Sequence, residues 1–199
     1  MQESGGFTEL EGSIAAYLDH GDFHGAAVES LRGYGSEILG YLHALLRDET
    51  AAEEVFSQFS EDLWKSLARF RRACSMRTWS YKLAWEAARR FKRDPYRRRG
   101  QPFRTGDWAD VAAEVKGSTA PYRRSTARGG IARLREQLRA SEQTLLILRI
   151  DRRLSFAEIS QVMRSRGRKV GPVALRKRYE RLKEKLRRLA EAEGLLPAD

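Results

Sequence analysis

Apolar residues recur at intervals of three and four along most of this 199-residue chain, the period of a helix with one face turned to a core. Ala27, Leu31, Tyr34, Ile38, Leu42 and Leu45 make the first such face. After a turn at Arg47-Asp48, Thr50 and Glu53 stand at capping-box spacing, and Val55, Phe56, Phe59, Leu63, Leu67 and Phe70 carry the core side of a second helix. A loop over Arg71 to Ser75 leads into a third helix near Met76 to Arg93, which must stop ahead of Pro95. Residues 1 to 21 contain Gly5-Gly6 and no sustained pattern, and read as a mobile acidic lead-in or a short extra helix.

Residues 96 to 130 break the pattern with Gly100, Pro102, Gly106, Gly117, Pro121 and Gly129-Gly130, and read as a linker. Trp108, Val111 and Val115 allow one short helix inside it. Three more helices follow: one near Leu134 to Ile150, one opened by the capping box Ser155-x-x-Glu158 and running through Ile159 to Met163, and one from Pro172. The last carries Leu175, Tyr179, Leu182, Leu186 and Leu189. No segment alternates as a strand does. The pattern predicts an all-α chain: a lead-in over 1–21, a three-helix domain over 22–95, a flexible linker over 96–130 and a helix-turn-helix domain over 131–196.

Charge sharpens this picture. The net charge is +11, yet residues 1 to 30 hold six acidic residues and no Lys or Arg. The cations concentrate in two blocks, 14 of them between Lys65 and Arg104 and 12 between Arg164 and Arg188, each with two acidic residues. Two basic surfaces in separate domains point to a polyanionic partner. Cys74 is the only cysteine, which excludes an internal disulfide and fits a reducing compartment. No apolar run approaches a membrane span and the N-terminus lacks the basic start of a signal peptide, so a cytoplasmic protein with no membrane insertion of its own is expected.

The first basic block is also aromatic. On the third helix Trp79, Leu83, Ala87 and Phe91 recur every four residues as a core stripe, which places Lys82, Trp85, Arg89 and Lys92 on another face. An indole among cations suits stacking on an unpaired base; packing of Trp85 on the linker or on the first helix is the competing expectation. In the second block, the helix from Pro172 exposes Arg176, Lys177, Arg178, Arg181, Lys183 and Lys185. As the second helix of a helix-turn-helix it would present Arg176 and Arg178 to base edges in a major groove, although its two heptads also fit a short coiled coil. His20 and His24 lack further ligands, and there is no Gly-rich phosphate loop, no nucleophile with a paired base and no zinc-spaced cysteine set. Neither a catalytic site nor a metal or other cofactor is expected.

AAEEVFSQFSEDLW followed by RFRRACSMRTWSYKLAWEAARR resembles region 2 of the extracytoplasmic-function (ECF) sigma factors of bacterial RNA polymerase. LRASEQTLLILRIDRRLSFAEISQVM followed by ALRKRYERLKEKLRRL is similar to their region 4. The resemblance implies a dissociable, non-catalytic subunit that binds polymerase core and directs it to promoters. Region 2 would meet the clamp helices of the largest subunit through Glu53, Glu54, Gln58 and Asp62. It would capture the melted minus-ten element with Arg71, Arg72, Ser75, Arg77, Lys82, Trp85 and Arg89, the loop from Arg71 to Ser75 cradling a flipped base. Region 4 would dock near the polymerase flap and read the minus-thirty-five duplex with Arg164, Arg166, Arg168, Lys169, Arg176, Lys177, Arg178 and Arg181. Ser57 stands where the family usually has Gln, Glu86 where it often has Asn, and RSRGRK at 164–169 lengthens the turn. An anti-sigma protein is implied as a further partner. Two other classes fit the residues alone: a self-sufficient helix-turn-helix repressor dimerising through its last helix, and a general RNA-binding protein.

Overall fold

A computed structural model describes residues 3–93, 107–118, 134–164 and 170–196, with side chains over 7–93, 110–117, 134–164 and 170–196. The side chain of Trp108 and the turn residues Arg166, Arg168 and Lys169 lie outside these. The fold is all-α, with no strand among the described residues. The chain divides into two compact units, 1–120 and 121–199, and the division falls inside the segment expected as a linker.

In the first unit α1 (Glu3–Asp19), α3 (Glu49–Ser66), α4 (Met76–Arg93) and α5 (Asp107–Ser118) all pack on α2 (Phe23–Leu46). A helix surrounded in this way needs apolar residues around most of its circumference. Accordingly α2 buries not only the expected Leu31, Tyr34, Ile38, Leu42 and Leu45 but also Leu39 and Tyr41. Two of its glycines allow the close approach: a Cβ on Gly33 would overlap Leu10 of α1, and one on Gly35 would come within 2.9 Å of Val115 Cγ1 of α5. Of the two expectations for residues 1 to 21, the structure has the helix, with Ile14 fully in the core. The helix allowed by Val111 and Val115 is also present, and both residues are buried.

The turn at Arg47-Asp48 forms as expected, Arg47 ending α2 in the left-handed conformation at φ 59°. The cap of α3, however, is Asp48 rather than Thr50, because the Asp48 carboxylate accepts from Ala51 N–H at 3.0 Å and Thr50 already lies in the first turn. A 3-10 turn (Leu67–Arg69) closes α3. On α4 the buried arc centres on Tyr81, Ala84 and Ala88. That rotation leaves Trp79 and Phe91 at the edge, half-exposed, and takes Trp85 inward.

In the second unit the single helix expected over 134 to 150 is interrupted. A helical turn at 134–136 is followed by α6 (Ala140–Leu146), which widens into a π turn (Ile147–Asp151). Polar side chains close the break: Glu142 accepts from Arg139 N–H at 2.8 Å, and the Gln143 amide donates to the carbonyls of Arg135 and Leu138 at 2.8 and 3.0 Å. Then come α7 (Phe156–Val162) and α8 (Pro172–Ala192). The Ser155/Glu158 capping box is present, with Ser155 Oγ accepting from Glu158 N–H and Glu158 accepting from Ser155 N–H. Leu138, Leu145, Leu148, Leu154, Ile159, Val162, Leu175 and Leu182 form the core of this unit.

Candidate nucleic-acid interface

The aromatic and basic surface of the first unit is built where the α3 end meets the α4 start. Phe70 leaves the 3-10 turn in an extended conformation and packs 5.4 Å from Trp79, tilted by 37°. Trp79 donates its indole N–H to Ser66 Oγ at 3.3 Å, and Lys82 Nζ lies 4.5 Å from its ring centroid. The pair is half-exposed, and Arg69, Arg71 and Arg72 beside it are exposed. A ring held by a neighbour and an indole hydrogen bond, with a cation against it and more at its rim, is suited to stacking on a base while cations meet phosphates.

Trp85 is not part of that surface. It is 7 % exposed, and the Arg89 guanidinium lies 5.8 Å from its ring centroid. On α4 the indole left partly exposed is therefore Trp79, expected in the core stripe, and not Trp85, expected among the cations. The face drawn through Lys82, Trp85 and Arg89 fails because a large ring at the margin of a buried arc is drawn into the core by the apolar area it removes from water. Lys92, assigned to that face, donates to the Leu45 carbonyl at 3.2 Å, and burial lowers its pKa.

Several residues of the loop and of the α4 start have partners within the protein. Ser75 caps α4, its hydroxyl accepting from Thr78 N–H at 3.1 Å. Arg72, in the left-handed conformation at φ 52°, pairs with Asp19 at 2.6 Å. Arg77 is mostly buried, pairs with Glu37 and lies 4.7 Å over the Phe7 ring. Burial works against its charge, but the Glu37 hydrogen bond more than offsets this and the net shift is upward. Tyr81 also donates to Glu37, at 2.7 Å. Cys74 is half-buried, and burial pushes its thiol up against the opposing effect of Lys82.

Sequence reasoning missed Glu11. Its carboxylate reaches across from α1 to accept the backbone N–H groups of Met76 and Arg77, both at 2.9 Å, and the Tyr34 hydroxyl at 2.7 Å. Burial, followed by that bond to Glu11, raises the Tyr34 phenol well above its usual range. The signal was available: Phe7, Leu10, Ile14 and Tyr17 recur at three and four, and Glu11 lies one turn after Phe7 on the same side.

On α3, Glu54 and Gln58 are exposed, while Glu53 and Asp62 are half-buried at the edges of the same face. Asp62 pairs with Arg90 of α4, and the Gln58 amide bonds Asp62 at 3.2 Å. On the other edge α5 brings Lys116, whose ammonium donates to the buried Ser57 hydroxyl at 2.7 Å. Burial lowers the Lys116 pKa, with Glu53 opposing. The four residues expected to meet polymerase thus share one acidic strip, bordered by a cation on each side.

In the second unit α8 is tied to α7 by the Phe156–Tyr179 edge contact at 5.8 Å, and to α6 by the Lys185–Glu142 pair at 2.8 Å. Ser160 of α7 donates to the Val170 carbonyl at 2.7 Å, fixing the approach to α8. Arg176, Lys177, Arg178 and Arg181 are all exposed, as is Arg164. Arg176 nevertheless turns toward α7, its guanidinium 5.7 Å from the Phe156 ring.

Residues 31–99 match the family model of sigma-70 region 2. No curated protein matches the chain. Among the described residues no helix is long and apolar enough to cross a membrane.

Proposed function

Because residues 31–99 match sigma-70 region 2, we propose that this chain is a sigma-70-type initiation subunit of the ECF kind: it binds polymerase core, escorts it to a set of promoters and dissociates afterwards. The observation that carries the reading is the half-exposed Phe70–Trp79–Lys82 cluster inside the matched segment, rimmed by Arg69, Arg71 and Arg72. Stacking platforms beside cations hold single strands, and a melted promoter strand is the single strand an initiation subunit meets. The acidic strip of Glu53, Glu54, Gln58 and Asp62 on α3 is assigned to the polymerase clamp helices. The basic α8 is assigned to the upstream duplex element as a region 4 recognition helix, with Lys177, Arg178 and Arg181 toward DNA and Arg164 at the edge of the turn. This assignment makes the protein cytoplasmic, and an anti-sigma protein is its expected regulator.

The test is reconstitution. Full-length protein added to polymerase core should give transcripts from a defined promoter set, and the protein alone should shift the same duplexes poorly, because two weak DNA contacts gain from being fixed on one scaffold. Tight duplex binding by a free dimer would instead establish the repressor, and binding to any RNA without effect on core would establish the general RNA binder.

A further inference from the structure

Val173 is 71 % exposed, the most exposed large apolar side chain among the described residues. It is the second residue of α8, directly after Pro172 at the helix start. The roll of α8 is fixed by Leu175 and Leu182, which are 0 % and 2 % exposed. At about 100° per residue, Val173 and Lys177 each lie about 200° from Leu175, so both fall within about 20° of the direction opposite the core. Arg181 follows one turn later, about 40° further round. Val173, Lys177 and Arg181 therefore make an outward strip at i, i+4 and i+8, all exposed. Arg176 lies off this strip, held toward Phe156.

We propose that Val173 reads the 5-methyl group of a thymine in the upstream duplex, and so sets base preference at one position. The inference rests on the reading of α8 as the recognition helix. In that docking the first turn of the helix reaches base edges and later turns reach the backbone. The first turn of this strip offers a branched apolar side chain, and the apolar group displayed in a major groove is the thymine methyl. Lys177 and Arg181 then lie where guanine edges or phosphates are met. A cation in the first turn would favour guanine; valine removes that choice and rewards a methyl.

The experiment uses the full chain with polymerase core and a promoter library randomised across the upstream element. The wild type should prefer thymine at one position; Val173→Ala should relax that preference about fourfold, the worth of roughly one buried methyl, and leave the other positions unchanged. Replacing that thymine by deoxyuridine should cost the wild type the same factor and Val173→Ala nothing. An unchanged profile in Val173→Ala, or indifference of the wild type to deoxyuridine, overturns the role of Val173 alone. If a Lys177→Ala/Arg178→Ala double variant selects the same upstream sequence as the wild type, the recognition-helix reading fails and the inference falls with it.

Discussion

The Glu11 carboxylate caps the first turn of α4, accepting from Met76 N–H at 2.9 Å although the two residues are 65 positions apart. A helix N-terminus carries unpaired N–H groups and a partial positive charge, and a carboxylate is the best partner for both. Here the partner is borrowed from the acidic segment that precedes the sigma-70 region 2 match. Phe7, one turn earlier on α1, stacks on Tyr34 at 6.0 Å and receives Arg77 on its ring. Helix α1 thus holds the start of α4 in place.

Glu11→Ala is expected to strip the cap from two amides and the Tyr34 hydroxyl at once, costing about 2 kcal/mol. Hydrogen exchange of the full-length protein is the direct measurement, because the Met76 and Arg77 amides should lose protection before those in the middle of α4. Glu11→Gln should recover part of the protection, since it keeps the acceptor oxygen and loses the charge. Equal protection in all three proteins would mean that α1 does not hold α4.

The Arg77–Glu37 pair supports a second expectation. Their side chains are 19 % and 11 % exposed, so removing one partner leaves a desolvated charge. Glu37→Ala should destabilise the first unit by about 3 to 5 kcal/mol, read as a fall in the denaturant midpoint followed by tryptophan fluorescence, because all the tryptophans lie before residue 121. A loss below about 1 kcal/mol, the range of exposed pairs, would show that Arg77 remains solvated.

Helix existence was legible wherever one face is apolar, which is why α4 has the bounds that its spacing predicts. The orientation of α4 was not. Its apolar residues span more than one stripe, and only the helices packed on either side decide whether Trp79 or Trp85 is turned inward. The break at 137–139 was hidden for a related reason, since LLILRI is apolar enough to continue a helix and the interruption is made by the polar pairings of Glu142 and Gln143. The Ser155 cap was readable because donor and acceptor lie three residues apart, whereas the Glu11 cap depends on tertiary contact. For the candidate interface, the basic and aromatic composition of its neighbourhood was visible, but the ion pairs that hold Arg72 and Arg77 bring residues 40 or more positions away and leave no local mark.

Glu142 links α6 to α8 and should make the second unit acid-sensitive. Burial opposes its ionised form, but the Lys185 hydrogen bond and the Arg139 amide outweigh this and hold its carboxyl below the ordinary glutamate value. A folded value lowered in this way gives stability that is present above the unfolded value of about 4.3 and is lost as pH falls through the folded one. Exchange protection in α6 and α8 should therefore drop with acid below about pH 4, and Glu142→Gln should flatten that dependence. An identical acid profile in the variant would remove Glu142 as its source.

The two tryptophans of α4 offer the sharpest separation of packing from function. Trp85 is buried, so Trp85→Ala should open a cavity and cost about 3 to 5 kcal/mol of fold stability, with transcription falling because less folded protein is present. Trp79 is half-exposed beside Phe70 and Lys82. Trp79→Ala should cost less in stability, but about 1 to 3 kcal/mol in open-complex stability if a base stacks on it. Duplex binding before melting should be unaffected, since the upstream contacts assigned to α8 lie in the other unit. Trp79→Tyr keeps a stacking ring without the indole donor to Ser66, and should restore most of the open complex. The measurement is open-complex lifetime with core polymerase on a promoter that the wild type melts, alongside a denaturant midpoint for each variant. If open-complex lifetime tracks the midpoint across all three substitutions, Trp79 acts through stability alone. If Trp79→Ala shortens the lifetime more than its midpoint accounts for and Trp79→Tyr recovers it, the ring itself holds the melted strand.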